Sequence, residues 1–385
     1  MTAGARAPSR RRCSRSGSEF NAAVLDHLPL WLLIVVFVAS GAVIWVAGVQ
    51  LSKSTDAIDD RLHLGSALGG LIVLAVATNL PEIAITVTAA ASGSVEVAVG
   101  NILGGIALQT VVIVILDRFG RRKKEAPPLT FRAASLTLVV EALSVVAILA
   151  VVVAGTQLPK GLDVLRLTPQ AVLIVVLWII GLLLVRRAGS HLPWHENGNA
   201  PGATPHRSGH RTRSSAGHHD SVSEGQRKRG LGRTLAVFAA AALATLVAGF
   251  FLEQSGDAAS GQLGLSGLLF GATVLALATS LPEISTGLQA IRQGDDNLAI
   301  SDIFGGNAFL PVLFLLAGLI SGKAVLPVAK SGDIYLTAIA ALLTAIYAIG
   351  LLFRPRRRVL GMGVDSLAVL IAYLLGIGGL IAVTG

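Results

Sequence analysis

Ten apolar runs of about 20 residues, the length that crosses the hydrocarbon core of a bilayer, recur along this 385-residue chain. They lie near 29–51, 64–90, 96–117, 134–155, 167–186, 234–254, 262–291, 296–321, 332–353 and 364–384. No soluble fold can hide that many. Backbone inside lipid must satisfy its own hydrogen bonds, so the runs are predicted to be helices. Only 14% of the residues are charged against 53% hydrophobic, too few charges to cover a soluble surface of this size. The 43 glycines suit helices that pack closely in lipid. The single cysteine, Cys13, excludes an internal disulfide framework and a cysteine-rich metal cluster.

A hydrophilic stretch rich in Ser, Gly, His and Arg, about 188–233, separates the fifth run from the sixth. It cannot bury an apolar core and reads as a disordered linker. Six of the eight histidines fall in it, including His218 and His219. A solvated low-complexity segment accounts for them more simply than metal sensing does. Residues 1–27 read as a disordered tail; a signal peptide is the competing reading, but the apolar run that follows is long and shows no cleavage site. The chain therefore divides into a tail (1–27), a first five-helix repeat (28–187), the linker (188–233) and a second five-helix repeat (234–385).

A formal charge of +9 could suggest nucleic acid, but the basic residues sit in short runs between apolar stretches. Arg121, Arg122, Lys123 and Lys124 follow span three, the Arg-rich linker follows span five, and Arg354, Arg356, Arg357 and Arg358 follow span nine. With ten spans these loops share one side, the cytoplasmic one, and both termini lie outside. The basic tail, with Arg10, Arg11, Arg12 and Arg15, runs against that orientation and raises the question of an over-extended start. Five spans per half turn the second half upside down. The expected fold class is an all-α polytopic membrane protein, ten transmembrane helices as two inverted five-helix repeats.

The repeat is visible in the residues. Ala77-Thr78-Asn79-Leu80-Pro81-Glu82-Ile83 recurs as Ala278-Thr279-Ser280-Leu281-Pro282-Glu283-Ile284, an offset of 201 that holds without a gap through the following span. Gly70 matches Gly271, Gly93 matches Gly294, Ala98 matches Ala299, and Ile102-Leu103-Gly104-Gly105 matches Ile303-Phe304-Gly305-Gly306. The motif helices cover 64–117 and 262–321. A proline in mid-helix removes a hydrogen bond and clashes with a carbonyl one turn earlier, which frees carbonyls around Ala77, Thr78, Ala278 and Thr279 to face an ion. The glutamate that follows costs at least ~2.5 kcal/mol at that depth unless it is paired or ligating. Two such segments in inverted halves mark a midplane site between broken helices.

Span three adds Asn101 and Gln109, eight residues apart and on one face; span eight adds Asp302, the repeat partner of Asn101, and Asn307. Asp302 is a third intramembrane carboxylate. Asn101, Gln109 and Asn307 serve either as site residues or as hydrogen-bonded glue between helices. The Gly104-Gly105 and Gly305-Gly306 pairs suit close packing as well as carbonyl ligation. Glu141 reads as a proton site or as half of an ion pair with Arg132 or a neighbour. Carboxylates, carbonyls and amides suit a hard cation such as calcium, with sodium or protons in exchange, and no Cys or His stands among them to favour zinc or copper. No paired-aspartate motif, Ser/His arrangement or His-Glu-x-x-His lies in the spans, so the chain reads as no enzyme and needs no cofactor.

On the motifs Ala77–Glu82 with Gly100–Gly105, and Ala278–Glu283 with Ser301–Asn307, the chain resembles the sodium/calcium exchanger family of the calcium/cation antiporter superfamily. The resemblance covers about a quarter of the chain. It implies calcium extruded by alternating access against inward sodium or proton flow, with Glu82 and Glu283 as central ligands supported by Thr78 and Thr279. Asp302, Asn101, Gln109, Ser280 and the backbones of Ala77 and Ala278 complete the candidate shell. Family repeats usually read Gly-Asn-x-x-Gly-Ser-Asn with another Asn or Asp three residues later. Here the serine positions are Gly105 and Gly306, the later polar positions are Gln109 and Leu310, the second Asn is Asp302, and Ser280 faces the less usual Asn79. These departures leave sodium and proton coupling both open, and a non-transporting ion-binding homologue is the third reading. The expected partners are small inorganic cations and the lipid bilayer; the oligomeric state stays open, a monomer included.

Overall fold

The computed structural model describes residues 28–62, 69–91, 93, 95–120, 126–133, 135–159, 168–189, 231–264 and 276–384. The N-terminal tail, the basic loop Arg121–Lys124, positions 190–230 of the linker, and 265–275 of the seventh run with Gly271 lie outside the described residues. The rest is helical apart from one two-stranded hairpin.

In chain order, α1 is Leu30–Leu62 and a π-helical turn covers Gly69–Leu74. The first motif forms α2 (Ala75–Thr78) and α3 (Leu80–Ala91), followed by α4 (Val95–Phe119). A single turn, α5 (Leu129–Arg132), leads to α6 (Leu136–Thr156) and α7 (Pro169–Ala188). The second half opens with α8 (Leu231–Gln262); the second motif forms α9 (Ala276–Thr279) and α10 (Leu281–Gln293). Then come α11 (Asp296–Phe309), α12 (Leu313–Ser321) and α13 (Ser331–Phe353). The hairpin β1 (Arg358–Val359) and β2 (Met362–Gly363) turns the chain into α14 (Val364–Thr384).

Seven helices among the described residues are long and apolar enough to cross a membrane, eight when the bent pair of the first motif is counted as one span. The sequence suggests ten. The difference lies in the second motif, part of which is outside the described residues, and in the last helix, whose apolar stretch Val364–Leu380 falls short of a full span. The chain is thus a multi-pass membrane protein. Helices differ sharply in what surrounds them. Within the apolar window of α4, 72% is buried in protein, against 28% for α1, α7 and α8. Trp31, Val38 and Val46 of α1, Leu183 of α7 and Leu243 of α8 stay exposed, as lipid-facing side chains do. So α4 and α11–α12 form the centre, while α1 and α8 lie along each other at the periphery.

The motif prolines act differently from a mid-helix kink. The helix is interrupted two residues earlier, at Asn79 (φ −87°, ψ 15°) and at Ser280 (φ −83°, ψ 6°). Each proline then falls in the first turn of the following helix, where its missing N–H needs no partner. The bend across the first break is 58°. The matching angles at positions 201 apart show the same backbone event in both copies. After each motif helix a glycine takes the left-handed conformation, Gly93 at φ 80° and Gly294 at φ 103°, which only glycine enters without cost.

Packing repeats as well. Gly249 of α8 rests on Pro81, where an added Cβ would come within 2.6 Å of the proline ring. Gly48 of α1, again 201 positions earlier, rests on the other break: its Cβ would overlap Ser285 and stand 3.2 Å from the Pro282 carbonyl. Each peripheral helix therefore crosses the break of the opposite half through a glycine. Valine at either position should cost about 1–3 kcal/mol through overpacking. Thermal melting of the purified full chain checks this: Gly48→Val and Gly249→Val should both lower Tm. Gly104→Ala, where a Cβ meets nothing within 4 Å, should not.

Candidate functional site

The two breaks meet in the middle of the bundle, with α3, α4, α10 and α11 around them. At the first, the carbonyl of Ala75 collects three donors: the Asn79 backbone N–H at 3.2 Å, the Asn79 side-chain amide at 2.7 Å and the Thr78 hydroxyl at 3.3 Å. That local network holds the turn. Pro81 and Pro282 cannot donate to the carbonyls of Ala77 and Ala278 one turn earlier, and both alanines are buried.

Three carboxyl groups are buried here: Glu82 at 3% exposure, Glu283 at 1% and Asp302 at 0%. Asp302 accepts from the Thr78 hydroxyl at 3.3 Å and from the Thr286 hydroxyl at 2.6 Å. Gln109 donates through Nε2 to Asn79 Oδ1 at 2.8 Å and reaches Glu283 Oε1 at a long 3.5 Å. Asn101 stands 3.5 Å from the backbone carbonyl of Glu82. Glu82 and Asp302 both lie close enough to Glu283 to act on its charge. One oxygen each of Glu82 and Glu283, Oε2 in both, has no hydrogen-bond partner. Around the acids, bonds between the two repeats thus run from Thr78 to Asp302 and from Gln109 to Glu283. Ser280 is buried and Thr279 half-buried at the second break.

Among the described residues no basic side chain forms an ion pair with the three acids. The ion pairs among the described residues are Arg132–Asp296 at 2.9 Å and Lys330–Glu96 at 2.8 Å, both away from the breaks. The second is exposed, and its hydrogen bond to Glu96 pushes the Lys330 ammonium above its usual value. A buried carboxylate without a partner is costly, so the site calls for bound cations or protons. Among the described residues no three His, Cys, Asp or Glu side chains converge as a metal cage. An ion here would rely on hydroxyl, amide and carbonyl oxygens beside the carboxylates, which suits a passenger more than a resident metal.

The structure corrects one expectation and adds residues. Arg132 pairs with Asp296, not with Glu141. Glu141, 2% exposed, instead accepts from the Ser301 hydroxyl at 3.1 Å, next to Asp302. Asn307 donates to the Thr110 hydroxyl at 2.9 Å, while its Oδ1 is buried without a hydrogen-bond partner. Thr286, one turn after Glu283, was not singled out from sequence, because a lone threonine in a helix carries no signal. Glu253 was also missed; it lies on α8, half-buried, close enough to Glu82 to act on it. A carboxylate near the end of an apolar run was the available clue.

Comparison with known proteins gives a consistent result. A family model described as "Sodium/calcium exchanger protein" matches residues 32–187 and 233–380. CaxA of Alkalimonas amylolytica, named as a candidate antiporter, is 26% identical over 338 residues, 85% of this chain and 93% of that one. The inner membrane protein YrbG of Escherichia coli K12 is 25% identical over 278 residues, 72% of this chain and 76% of YrbG. Among solved structures, the sodium-calcium exchanger NCX_Mj soaked with 10 mM Na+ and zero Ca2+ superposes with a TM-score of 0.62 at 15% identity. That alignment covers 91% of this chain and 99% of NCX_Mj. Together with two broken helices that each bury a glutamate, a match spanning both halves shows that the chain belongs to the sodium/calcium exchanger protein family.

Proposed function

We propose that this chain is a secondary active cation antiporter that exchanges calcium for sodium by alternating access. The observation that carries the reading is the pair of buried glutamates, Glu82 and Glu283, each placed directly after a helix break and each with an oxygen lacking any partner. Family membership and the antiporter relative CaxA support it. One calcium ion bridges Glu82 and Glu283 at the midplane. Thr78, Thr279, Asp302, Asn101, Gln109, Ser280 and the carbonyls of Ala77 and Ala278 supply further oxygens. Two carboxylates match the charge of a divalent hard cation, and the neutral oxygens match its coordination number.

In this reading the ten spans form two inverted halves, 28–187 and 234–385, with the linker 188–233 cytoplasmic and both termini outside. Helices α1 and α8 slide over the breaks and open the site to alternate sides. The glycine contacts at Gly48 and Gly249 suit such sliding, because no side chain interlocks there.

A specific observation favours proton coupling as the second reading. An added Cβ at Gly306, one of the two positions where family members usually carry serine, would stand 2.6 Å from the Asn79 amide nitrogen. At the repeat counterpart, Gly105, a Cβ would meet nothing within 4 Å. The Asn79–Gln109 amide pair therefore fills space next to Gly306 that a serine hydroxyl would share with an ion. Amide N–H donors repel cations, so one sodium position is lost and protons on the acids can take its role.

Calcium flux into proteoliposomes, driven in turn by a sodium and by a proton gradient, tests both readings. Sodium-dependent uptake is expected; uptake driven by protons alone would replace sodium with protons, and no uptake under either gradient would overturn the antiporter reading. Glu82→Gln and Glu283→Gln should each cut uptake to background while the protein still folds; near-normal uptake in both would refute the site. In a separate test, Gly306→Ser alone should lower Tm and Asn79→Ser should restore it in the double variant. The coupling should be about 0.5–3 kcal/mol, as for residues in direct contact.

A further inference from the structure

A second pair of buried acids lies at one end of the bundle, two turns beyond Gln109 on α4. Eight residues of helix place it about 12 Å further along the axis. Asp117 is 1% exposed, and Asp365, in the first turn of α14, is 6% exposed. Backbone groups hold Asp117: its Oδ1 accepts from the Leu129 N–H at 2.7 Å and its Oδ2 from the Gly363 N–H at 2.6 Å. Asp365 differs. Both of its oxygens are out of contact with solvent and neither closes a well-formed hydrogen bond, although the Thr130 hydroxyl and the backbone N–H groups of Asp365 and Ser366 lie close to them.

Two glycines make the room. A Cβ on Gly363 would overlap Asp365 Oδ1 and stand 3.3 Å from Asp117 Oδ2, while a Cβ on Gly350 would stand 2.5 Å from Asp365 Oδ2. The carboxylates therefore face each other around one small volume, near enough to act on each other's charge. An independent group points into the same space. The Thr130 hydroxyl is buried without closing a hydrogen bond and faces the Asp365 carboxylate. The Tyr347 hydroxyl, which donates to Ser366 at 3.3 Å, is close enough to feel both acids.

Two arginines border this end. Arg354 donates to the Phe131 carbonyl at 2.8 Å, and Arg358 to the Ala126 and Gly361 carbonyls at 3.0 and 3.3 Å. Among the described residues Asp365 joins no ion pair. A buried carboxylate met only by a hydroxyl and poorly aligned N–H groups keeps an uncompensated charge that a cation would neutralise.

We propose that Asp117, Asp365 and Thr130 form a second cation site, separate from the transport centre, that takes a divalent cation of the calcium class. Two carboxylates balance its charge, and calcium–oxygen distances of about 2.3–2.6 Å let one ion reach both acids across the volume beside Gly363. Hydroxyl oxygens of Thr130 and Tyr347 add neutral ligands. The bound ion ties the end of α4 and α5 to the hairpin and to α14, so occupancy clamps the last helix onto the core.

Calcium alone is titrated into the full-length chain carrying Glu82→Gln and Glu283→Gln, followed by calorimetry and thermal melting. One binding event per chain and a calcium-dependent rise in Tm are expected to persist on that background. Adding Asp365→Asn should abolish both while leaving the calcium-free Tm equal or higher, because a repelling charge is gone. Should that variant fail to fold, Thr130→Ala should weaken calcium binding at least about tenfold, the loss of one ligand to a charged partner. Absence of calcium binding on the double-Gln background, or binding that Asp365→Asn and Thr130→Ala leave unchanged, would overturn the proposal. So would a Tm that responds to acid instead of calcium, since the acids would then share a proton. Flux of the unaltered chain reports the transport reading separately.

Discussion

Carboxylate groups held out of water, with no ion pair to a basic side chain among the described residues, are the constraint around which this protein is organised. Glu82, Glu283 and Asp302 sit together at the centre of the bundle, where each charge costs several kcal/mol unless something neutralises it. Hydroxyls of Thr78 and Thr286 on Asp302, and an amide of Gln109 near Glu283, lessen that cost without removing it. A helix that ran unbroken past these acids would present only side chains. Interrupting it at Asn79 and Ser280 brings backbone dipoles into the same space. In the proposed reading these acids hold a charge deficit open for mobile cations, and a lysine placed there would satisfy them instead.

The two copies are alike in backbone and unlike in chemistry. Asn79 and Gln109 of the first repeat form an amide pair. Their counterparts, Ser280 and Leu310, cannot do so, and Asn101 is answered by Asp302. Beyond one glutamate from each copy, the first adds amide groups and the second adds a further acid. A site built this way has two inequivalent flanks even though the two backbone breaks match, and ions that prefer full oxygen shells are better suited to the flank without amide hydrogens.

Sequence carries the spans and the paired motifs because proline and glutamate are such poor tenants of lipid-buried helices that their recurrence 201 residues apart has few explanations. The layout of central and peripheral helices is less legible, since Val and Leu cover lipid-facing and protein-facing surfaces equally well. The position of the break escaped sequence reasoning for a local reason: a proline reads as a kink at its own place, yet the turn closes at Asn79 through bonds to Ala75. The bond of Thr286 to Asp302, the nearness of Glu253 to Glu82 and the pairing of Arg132 with Asp296 depend on which helices meet, and helix meetings are long-range facts. Gly48 and Gly249 are an intermediate case. Their spacing matches the motif offset, but among 43 glycines nothing in the residues themselves marks these two.

Those crossed glycine contacts bear on how the chain is made. Synthesis runs from the N-terminus, and domains ordinarily complete themselves in that order. Here the first break is covered by Gly249 and the second by Gly48. The first half therefore waits in the membrane with its proline turn and Glu82 unsheltered until α8 has been inserted. Neither break is covered from its own half, so the later helices finish a packing begun by the earlier ones.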